Sequence, residues 1–560
     1  MREATRVPRV PRVTPITSVQ LPSAHDGAAT WRALDHAAAW LARWPFVPLA
    51  ALLVIGAALR FAAITRQSLW LDEAFSVYLA AHPFSDQLAF IAGSDAHPPL
   101  YYLMLHVWML GGSSPLALRL LSALASIAAL APMYALGRRL AGEWVAVIAT
   151  ALLAGSAFQV WYAQEARMYA LTTLAVLLAL AALARAMERT AARAAAQGGG
   201  QGAWVAWGSW AGFVAAMLAA LYLDYSALYV YTAVLWWFGL FGWRRVALRR
   251  PFALSLLAIG LGYLPWLPAL WRQLFVVGGL TAWIGGASGT GLMGVFRDLF
   301  LNRTNLSAPD AGLGALVIGL VCLVLVGLAL WLPRGEPAYP LLAIWLIWPC
   351  ALGLVAGILA HPILIARNVL VIQPPLFLLL ALAAERGWRT LPARETRVAR
   401  RAVVIAGLAL FFGANLAAQA TAWQTTVKED WRGVARLVAG QQQSGDLALF
   451  DAYFAQMPFD YAYHRIAPAG AALAERGYLA QESLLYADAA QTGGGVRRVG
   501  DITGYARVWL ILSHTGAPSD AAAVPTWLFA GYGQVREWRF VGVTVQLYEM
   551  RPPGGPPAPG

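Results

Sequence analysis

The stretch "FVPLAALLVIGAALRFAAITRQSLWLDEAFSVY", residues 46–78, joins a long apolar segment to a pair of acids, Asp72 and Glu73. A transmembrane helix needs about 20 consecutive, mostly apolar residues, and residues 46–64 meet that requirement. The two acids follow shortly after this segment ends. The stretch therefore predicts a membrane helix followed by two acids at the membrane surface, where they can take part in chemistry.

The composition of the whole chain agrees with this prediction. Its 560 residues are 59% hydrophobic and 12% charged, whereas a soluble domain carries about 25% charged residues. The net charge of +13 comes from arginine almost alone, since Lys428 is the only lysine. The arginines cluster between apolar segments, which favours contact with an anionic inner leaflet over nucleic acid. We expect a polytopic membrane protein that binds no nucleic acid.

Apolar segments of spanning length recur along the chain and predict about eleven transmembrane helices. Segment 99–110 is apolar but too short to cross a bilayer, so we place it on or in the outer surface. The predicted spans are 46–64, 115–137, 143–162, 167–187, 203–222, 226–242, 252–271, 311–332, 338–359, 368–384 and 402–421.

The positions of the arginines give these spans a direction. Arginine-rich loops face the cytoplasm, and eleven spans place the arginine clusters 138–139, 185–193, 242–251 and 385–401 on that side. If 99–110 were a twelfth span, every later loop would lie on the opposite side of the membrane. We therefore expect a protein of the cytoplasmic (inner) membrane with a disordered cytoplasmic tail, 1–44. Segments 65–114 and 272–310 are then outer loops of a membrane domain over 45–422.

After residue 422 the composition changes from apolar to mixed. Segment 428–454 is typical of an amphipathic helix followed by a short strand, residues 505–514 of a second strand, and residues 535–550 of a hairpin. A segment of this length can bury its own core. We expect a small α/β domain over 423–550 on the outer face, followed by a disordered tail, 551–560.

Four polar residues in the first outer loop are candidates for chemistry. Asp72 and Glu73 fit a general base with a neighbour that sets its field or binds a cation, although acids in a first helical turn also stabilise the helix. Asp95 and His97 precede two prolines, which favour a rigid turn. Such a turn holds a substrate or a divalent ion, or its Asp simply bonds its own backbone. If a metal binds, Asp72, Glu73 and His97 are its ligands.

Four more candidates lie at predicted outer turns. Glu165 and Arg167 form either part of the site or an interfacial ion pair. Asp224 contributes to the site or caps the following helix. Arg367 binds a lipid phosphate or only reaches toward the interface. Placing charged residues near membrane segments costs free energy, and such residues mark functional sites. Because all the candidates lie on one side of the predicted membrane, we expect one composite site.

Three of these stretches resemble a known family. "LWLDEAFSVYL" (69–79), "DAHPPLYYLMLHVW" (95–108) and "YAQEARMYAL" (162–171) are similar, in order and spacing, to the family 39 glycosyltransferases and their bacterial relatives. That group includes protein O-mannosyltransferases and lipid A aminoarabinose transferases. "KEDWRGVARLVA" (428–439) is similar to the start of the outer domain in many bacterial members. The chain departs from the family at Asp224, where many relatives carry His.

The resemblance implies a GT-C fold and transfer of a sugar from a polyprenyl-phosphate donor to a glycan, lipid or protein acceptor outside the membrane. It implies that Asp72 is the catalytic base and that Glu73, Asp95, His97, Glu165 and Arg167 belong to the site. A cation on the departing phosphate, Arg367 or Arg167, completes an inverting displacement. Two other readings remain open: a flippase of lipid-linked sugars and a non-catalytic scaffold for envelope assembly.

Overall fold

The computed structural model describes residues 43–275 apart from 45 and 197–200, and residues 338–451 apart from 360–363 and 390–393. It also describes 453–467, 473–477, 504–514, 531–551 and the single residues 295, 298, 299 and 502. The predicted tails 1–44 and 551–560, the span 311–332 and the outer loop 272–310 lie wholly or mostly outside these residues. The chain divides into two compact units, Met1–Pro48 and Leu49–Gly560.

The apolar part of the chain is helical, as the long apolar segments predict. In chain order its first helices are α1 Phe46–Phe61, α2 Leu71–Ala80, α3 Phe84–Ser94, α4 Leu100–Met109, α5 Pro115–Ala128, α6 Leu130–Ala141, α7 Glu143–Gly155 and α8 Ala157–Ala163. The next are α9 Tyr169–Ala196, α10 Gln201–Leu223, α11 Ser226–Trp237, α12 Val246–Tyr263, α13 Leu267–Phe275, α14 Ala338–Leu359, α15 Gln373–Arg389 and α16 Arg394–Gln424. A 3₁₀ segment, Ala366–Ile372, leads into α15.

Six helical segments in the described part of the chain are long and apolar enough to cross a membrane. They are Pro115–Ala141, Tyr169–Ala194, Val246–Phe275, Tyr339–Ile358, Ala366–Arg386 and Arg401–Gln424. Helices α7 and α8 together form a possible seventh span, and four shorter apolar helices include α1 and α4. The chain is thus a helical membrane protein, while the count of eleven spans stays a prediction.

The predicted span 143–162 is not one continuous helix. Helices α7 and α8 meet at an angle of 59°, and Ser156 lies between them with extended backbone. The Ser156 hydroxyl accepts the N–H of Gln159, and the Asn415 side chain accepts the N–H of Ala157 at 2.7 Å. Because side chains satisfy the amide groups freed at the break, the bend needs neither proline nor water.

The C-terminal part of the chain contains a mixed sheet of five strands in the order β2-β1-β3-β5-β4. Its elements are α17 Trp431–Gln441, β1 Leu447–Asp451, α18 Gln456–Tyr463, β2 Ala474–Gly477, β3 Arg507–Leu512, β4 Tyr532–Phe540 and β5 Val543–Met550. Strands β1, β2 and β3 are parallel, and β5 pairs antiparallel with β3 and β4. Strand β1 is buried along its full length. The structure contains the amphipathic helix (α17), the two strands (β1 and β3) and the hairpin (β4 and β5) that the sequence predicts.

The loop between α1 and α2 joins this sheet to the membrane helices. Gln67 accepts hydrogen bonds from the backbone N–H groups of Val427 and Lys428 and donates to the carbonyl oxygens of Ala422 and Thr425. Helix α18 also packs against α2. These contacts hold the start of α2 against the segment that leads into α17.

Candidate active site

Helix α2 begins at the centre of the candidate site, and its own first-turn acids do not cap it. Trp70 precedes the helix without a side-chain capping bond, and the Leu71 N–H donates instead to Glu429 Oε2 at 3.3 Å. A residue far along the chain therefore satisfies one of the free amides at the helix start. The carboxylates of Asp72 and Glu73 are left to bind cationic side chains.

Asp72 pairs with Arg367, which is, with Arg167, one of the two residues that the sequence suggests as the phosphate ligand. Their closest atoms, Asp72 Oδ2 and Arg367 Nη1, are 2.7 Å apart, and their side chains are 24% and 15% exposed. Burial raises the pKa of the Asp72 carboxyl, but the charges of Arg367 and Arg167 outweigh it, so that the pKa falls below its ordinary value. Asp72 is thus an ionised carboxylate that small molecules can reach.

Glu73 has a very different environment and is fully buried. Its two oxygens accept hydrogen bonds from Arg119 at 2.8 and 2.7 Å. They also accept from the Ala166 N–H at 2.9 Å and from Lys428 Nζ at 3.2 Å. Burial raises the pKa of Glu73, but Arg119 and Lys428 lower it by more. Glu73 is therefore an ionised anchor beneath the accessible surface.

Arg119, on α5, connects this anchor to the loop before α2. Besides Glu73, its guanidinium donates to the carbonyl oxygens of Ile64 at 2.7 Å, Gln67 at 3.0 Å and Ser68 at 3.0 Å. The planar fork of donors suits this convergence of acceptors. One buried arginine thus fixes both the backbone of the loop and the carboxylate next to Asp72.

Asp95, His97 and Arg167 form a chain of hydrogen bonds beside Asp72. His97 Nδ1 lies 3.1 Å from Asp95 Oδ1, and His97 Nε2 lies 3.2 Å from Arg167 Nη2. A guanidinium only donates, so Nε2 accepts and the Nδ1–H donates to Asp95. Arg167 also donates to Ser76 at 3.2 Å and Tyr102 at 3.4 Å. These hydrogen bonds hold the Arg167 guanidinium in one orientation.

Lys428 lies between two carboxylates that are distant in sequence. Its Nζ is 3.2 Å from Glu73 Oε2 and 3.0 Å from Glu165 Oε1, and the rings of Trp70 and Trp161 lie 5.5 and 5.2 Å away. Burial raises the pKa of Glu165, Lys428 opposes this, and Glu73 raises it further, leaving a net rise. A single ammonium thus links the C-terminal segment to α2 and to the turn between α8 and α9.

One predicted site residue is not drawn into these contacts. Asp224 is buried, and its carboxylate accepts the N–H of Ser226 at 2.7 Å. This bond spans two residues, as in an Asx turn before α11, whose N-cap Tyr225 has no side-chain capping bond. The other predicted residues form three groups, Asp72 with Arg367, Glu73 with Glu165 through Lys428, and Asp95 with His97 and Arg167. Arg167 Nη1 also lies 3.5 Å from the Asp72 carbonyl oxygen.

The predicted metal ligands do not converge on one position. In the part of the chain that the structure describes, Asp72, Glu73 and His97 are not among the residues grouped closely enough to share an ion. Asp72 and Glu73 contact arginine and lysine side chains instead. Arg367 pairs with the partly exposed Asp72 carboxylate, and Arg167 lies 3.5 Å from the Asp72 carbonyl oxygen.

Sequence reasoning missed two residues of this network, Arg119 and Lys428. The signal in the sequence for Arg119 was a charged residue inside an apolar segment. The signal for Lys428 was that it is the only lysine of the chain. The first signal is ambiguous, because Arg60 has it as well. Arg60 donates only to Ser126 and to backbone carbonyl oxygens of Gly56, Leu153 and Ala154 among its described contacts, which is a packing role.

Comparison with known proteins finds solved structures with a similar fold. No family model matches the chain, and no curated protein matches it in sequence. Its structure is similar to that of ArnT from Cupriavidus metallidurans in the apo state, with a TM-score of 0.56 and 16% identity over 90% of this chain and 97% of that chain. For the same protein bound to undecaprenyl phosphate, the TM-score is 0.55 and the identity 15%, over 90% and 98%.

A further similar structure is the oligosaccharyltransferase of Archaeoglobus fulgidus in complex with Zn and sulfate, with a TM-score of 0.50 and 13% identity over 88% and 73% of the two chains. ArnT, a lipid A aminoarabinose transferase, and this enzyme are both GT-C glycosyltransferases. The GT-C resemblance predicted from the sequence is therefore confirmed at the level of the fold. Membership of family 39 stays a prediction.

Proposed function

We propose that the protein is a membrane glycosyltransferase that moves a sugar from a polyprenyl-phosphate donor to an acceptor hydroxyl on the outer face of the inner membrane. The observation that carries the proposal is the contact between Asp72 and Arg367. It places an accessible carboxylate beside a guanidinium, and these are the two groups that an inverting displacement of a phosphate requires.

In the proposed reaction, the Asp72 carboxylate takes the proton of the acceptor hydroxyl as its oxygen bonds to the anomeric carbon of the sugar. The bond between that carbon and the phosphate oxygen breaks, and polyprenyl phosphate leaves with the electron pair. Arg367 and Arg167 stabilise the charge on the departing phosphate. No covalent sugar–enzyme intermediate is needed, because the donor already carries its leaving group.

Donor binding would also change the basicity of Asp72. In this structure, Arg367 holds the Asp72 carboxylate in an ion pair that lowers the pKa of Asp72. A bound phosphate would compete for the guanidinium and place a negative charge nearby, and both effects raise the pKa of a carboxylate. Asp72 would become a stronger base only when the donor is present.

The remaining site residues have supporting roles in this proposal. Glu73 is buried and bonded on both oxygens, so we assign it to positioning Asp72 rather than to touching the substrate. Asp95 and His97 orient Arg167, and Glu165 binds Lys428. Asp224 accepts the N–H of Ser226 just before α11, and its contact with the substrate stays a prediction.

Reconstitution of the purified protein in liposomes tests the proposal. With a radiolabelled polyprenyl-phosphate sugar, we expect label on an added acceptor in the wild-type protein and none in the Asp72→Asn variant. Movement of the label across the bilayer without product would identify a flippase instead. Absence of both activities with a panel of donors and acceptors would favour the scaffold.

A further inference from the structure

A second group of polar residues lies on the C-terminal sheet, away from the Asp72 site. Gln456, Asp460 and His464 follow one another at intervals of four residues on α18 and at its end, so they share one helix face. Glu475 comes from the neighbouring strand β2. One ligand atom each from Asp460, His464 and Glu475 lies within 4.8 Å of the others.

Buried oxygen atoms in this group lack partners. Gln456 is only 7% exposed, and its Nε2 donates to Glu475 Oε2 at 3.4 Å. Among the described residues, Gln456 Oε1 and Asp460 Oδ1 have no hydrogen-bond donor. Leaving a buried acceptor unsatisfied costs about 1–3 kcal/mol. The amide oxygen of Gln456 and one carboxylate oxygen of Asp460, both unpaired in the described part of the chain and close to Glu475, indicate that a cation binds there.

The charges point the same way. Two carboxylates at this separation are stable only if they share a proton or a cation. The His464 ring is exposed, so an ion has a direct path from solvent to the group.

We propose that Asp460, His464 and Glu475 bind a divalent transition-metal ion of the zinc type, with Gln456 Oε1 available as a further ligand. An imidazole with carboxylates is a donor set that suits Zn²⁺, whereas Ca²⁺ and Mg²⁺ favour oxygen ligands alone. The ion would tie the short strand β2 to α18.

The position of α18 gives such an ion a structural consequence. An adjoining side of this helix packs against the membrane region: Tyr461 donates a hydrogen bond to the Ser113 carbonyl oxygen at 2.8 Å, and α18 contacts α2. An ion that orders α18 would therefore stabilise the support of the helix that carries Asp72, without touching the reacting groups.

Metal binding to the full-length protein in detergent tests the inference. After chelation and removal of the chelator, we expect the wild-type protein to take up one equivalent of Zn²⁺, measured by elemental mass spectrometry, and to melt at a higher temperature. Co²⁺ should give the visible absorption of a site with nitrogen and oxygen ligands. Excess Ca²⁺ should not displace either ion.

The variants His464→Ala and Glu475→Gln should bind Zn²⁺ at least about tenfold more weakly, since losing even a group behind the ligands costs 10–100-fold. His464→Ala removes an exposed side chain and should melt like the wild type in chelator. His97→Ala serves as the control and should keep the equivalent of Zn²⁺. The inference is overturned if the wild type binds no Zn²⁺, if both variants bind it like the wild type, or if only His97→Ala loses it.

Discussion

Arg367 Nη1 lies 2.7 Å from Asp72 Oδ2, although 295 residues separate the two in the chain. Asp72 is in the first turn of α2, and Arg367 is in the 3₁₀ segment that leads into α15. Neither residue is sealed from solvent. The contact brings together the residue that the sequence suggested as base and the residue that it suggested for a phosphate.

The variant Asp72→Asn should lose roughly 10²- to 10⁴-fold in turnover, because a general base contributes that much. Asparagine keeps the shape of the side chain but cannot accept a proton from the acceptor. The transfer assay with a labelled donor measures the loss. Asp86→Asn is a matched control, since Asp86 is also a first-turn acid but is exposed on α3. Equal activity in the two variants would remove Asp72 as the base.

The variant Arg367→Ala should weaken donor binding, raising the KM for the donor by roughly 10- to 100-fold, because a hydrogen bond to a charged group contributes about 1.5–3 kcal/mol. Arg367→Lys should recover only part of the loss, since lysine lacks the forked donor geometry. Arg386→Ala is the control; Arg386 packs over the Tyr339 ring, further along the same span. A KM that is unchanged in Arg367→Ala would assign the phosphate elsewhere.

The variant Arg119→Ala should lose about 3–5 kcal/mol of stability, because it leaves the buried Glu73 carboxylate without its main partner. Thermal unfolding in detergent, followed by circular dichroism, measures the change. The control is Arg138→Ala, which breaks a more exposed pair with Glu143 and should cost at most about 1 kcal/mol. Similar melting temperatures for both variants would contradict the anchoring role of Glu73.

Lys428 should be strongly protected from amine-reactive reagents, because its ammonium is buried between Glu73 and Glu165. If exposing it costs about 3 kcal/mol, labelling should be roughly 100-fold slower than at an exposed lysine. Peptide mapping by mass spectrometry reads the rate at this position. Arg436→Lys, which places a lysine at an exposed position on α17, supplies the comparison. Equal rates at the two positions would show that the segment before α17 is not docked.

The His514–Glu429 contact should make stability depend on pH. His514 Nε2 lies 3.1 Å from Glu429 Oε1, and the hydrogen bond to Glu429 raises the pKa of His514 above 6.5 despite partial burial. A raised pKa in the folded state contributes stability that is complete below the ordinary value and is lost as the pH rises through the raised value.

The wild type should therefore exceed His514→Gln in melting temperature by more at about pH 6 than at about pH 8, where an ordinary histidine is neutral. His82→Gln, which alters a half-buried histidine just after α2, gives the reference for a general effect of pH. Parallel melting curves for the wild type and His514→Gln across this range would rule out the contact as a source of pH dependence.

Local sequence was sufficient where the physical cause is local. Apolar length predicts membrane helices because every backbone amide in lipid must be bonded within its own segment. Alternating residues and turn glycines predict the β4–β5 hairpin, in which Gly542 has a φ of +70°. The break at Ser156 was not predictable, because its energy depends on Asn415, which belongs to another helix.

The sequence by itself determined a membrane protein with its acids and arginines at segment ends, and it suggested Asp72 as the base and Arg367 or Arg167 as the phosphate ligand. Only the tertiary structure decided that Asp72 is accessible while its neighbour Glu73 is buried, and that Lys428 and Arg119 hold Glu73 in place. Adjacent residues on a helix point about 100° apart, so their surroundings are set by whatever packs on each side. Those surroundings come from residues tens to hundreds of positions away, which no local pattern encodes.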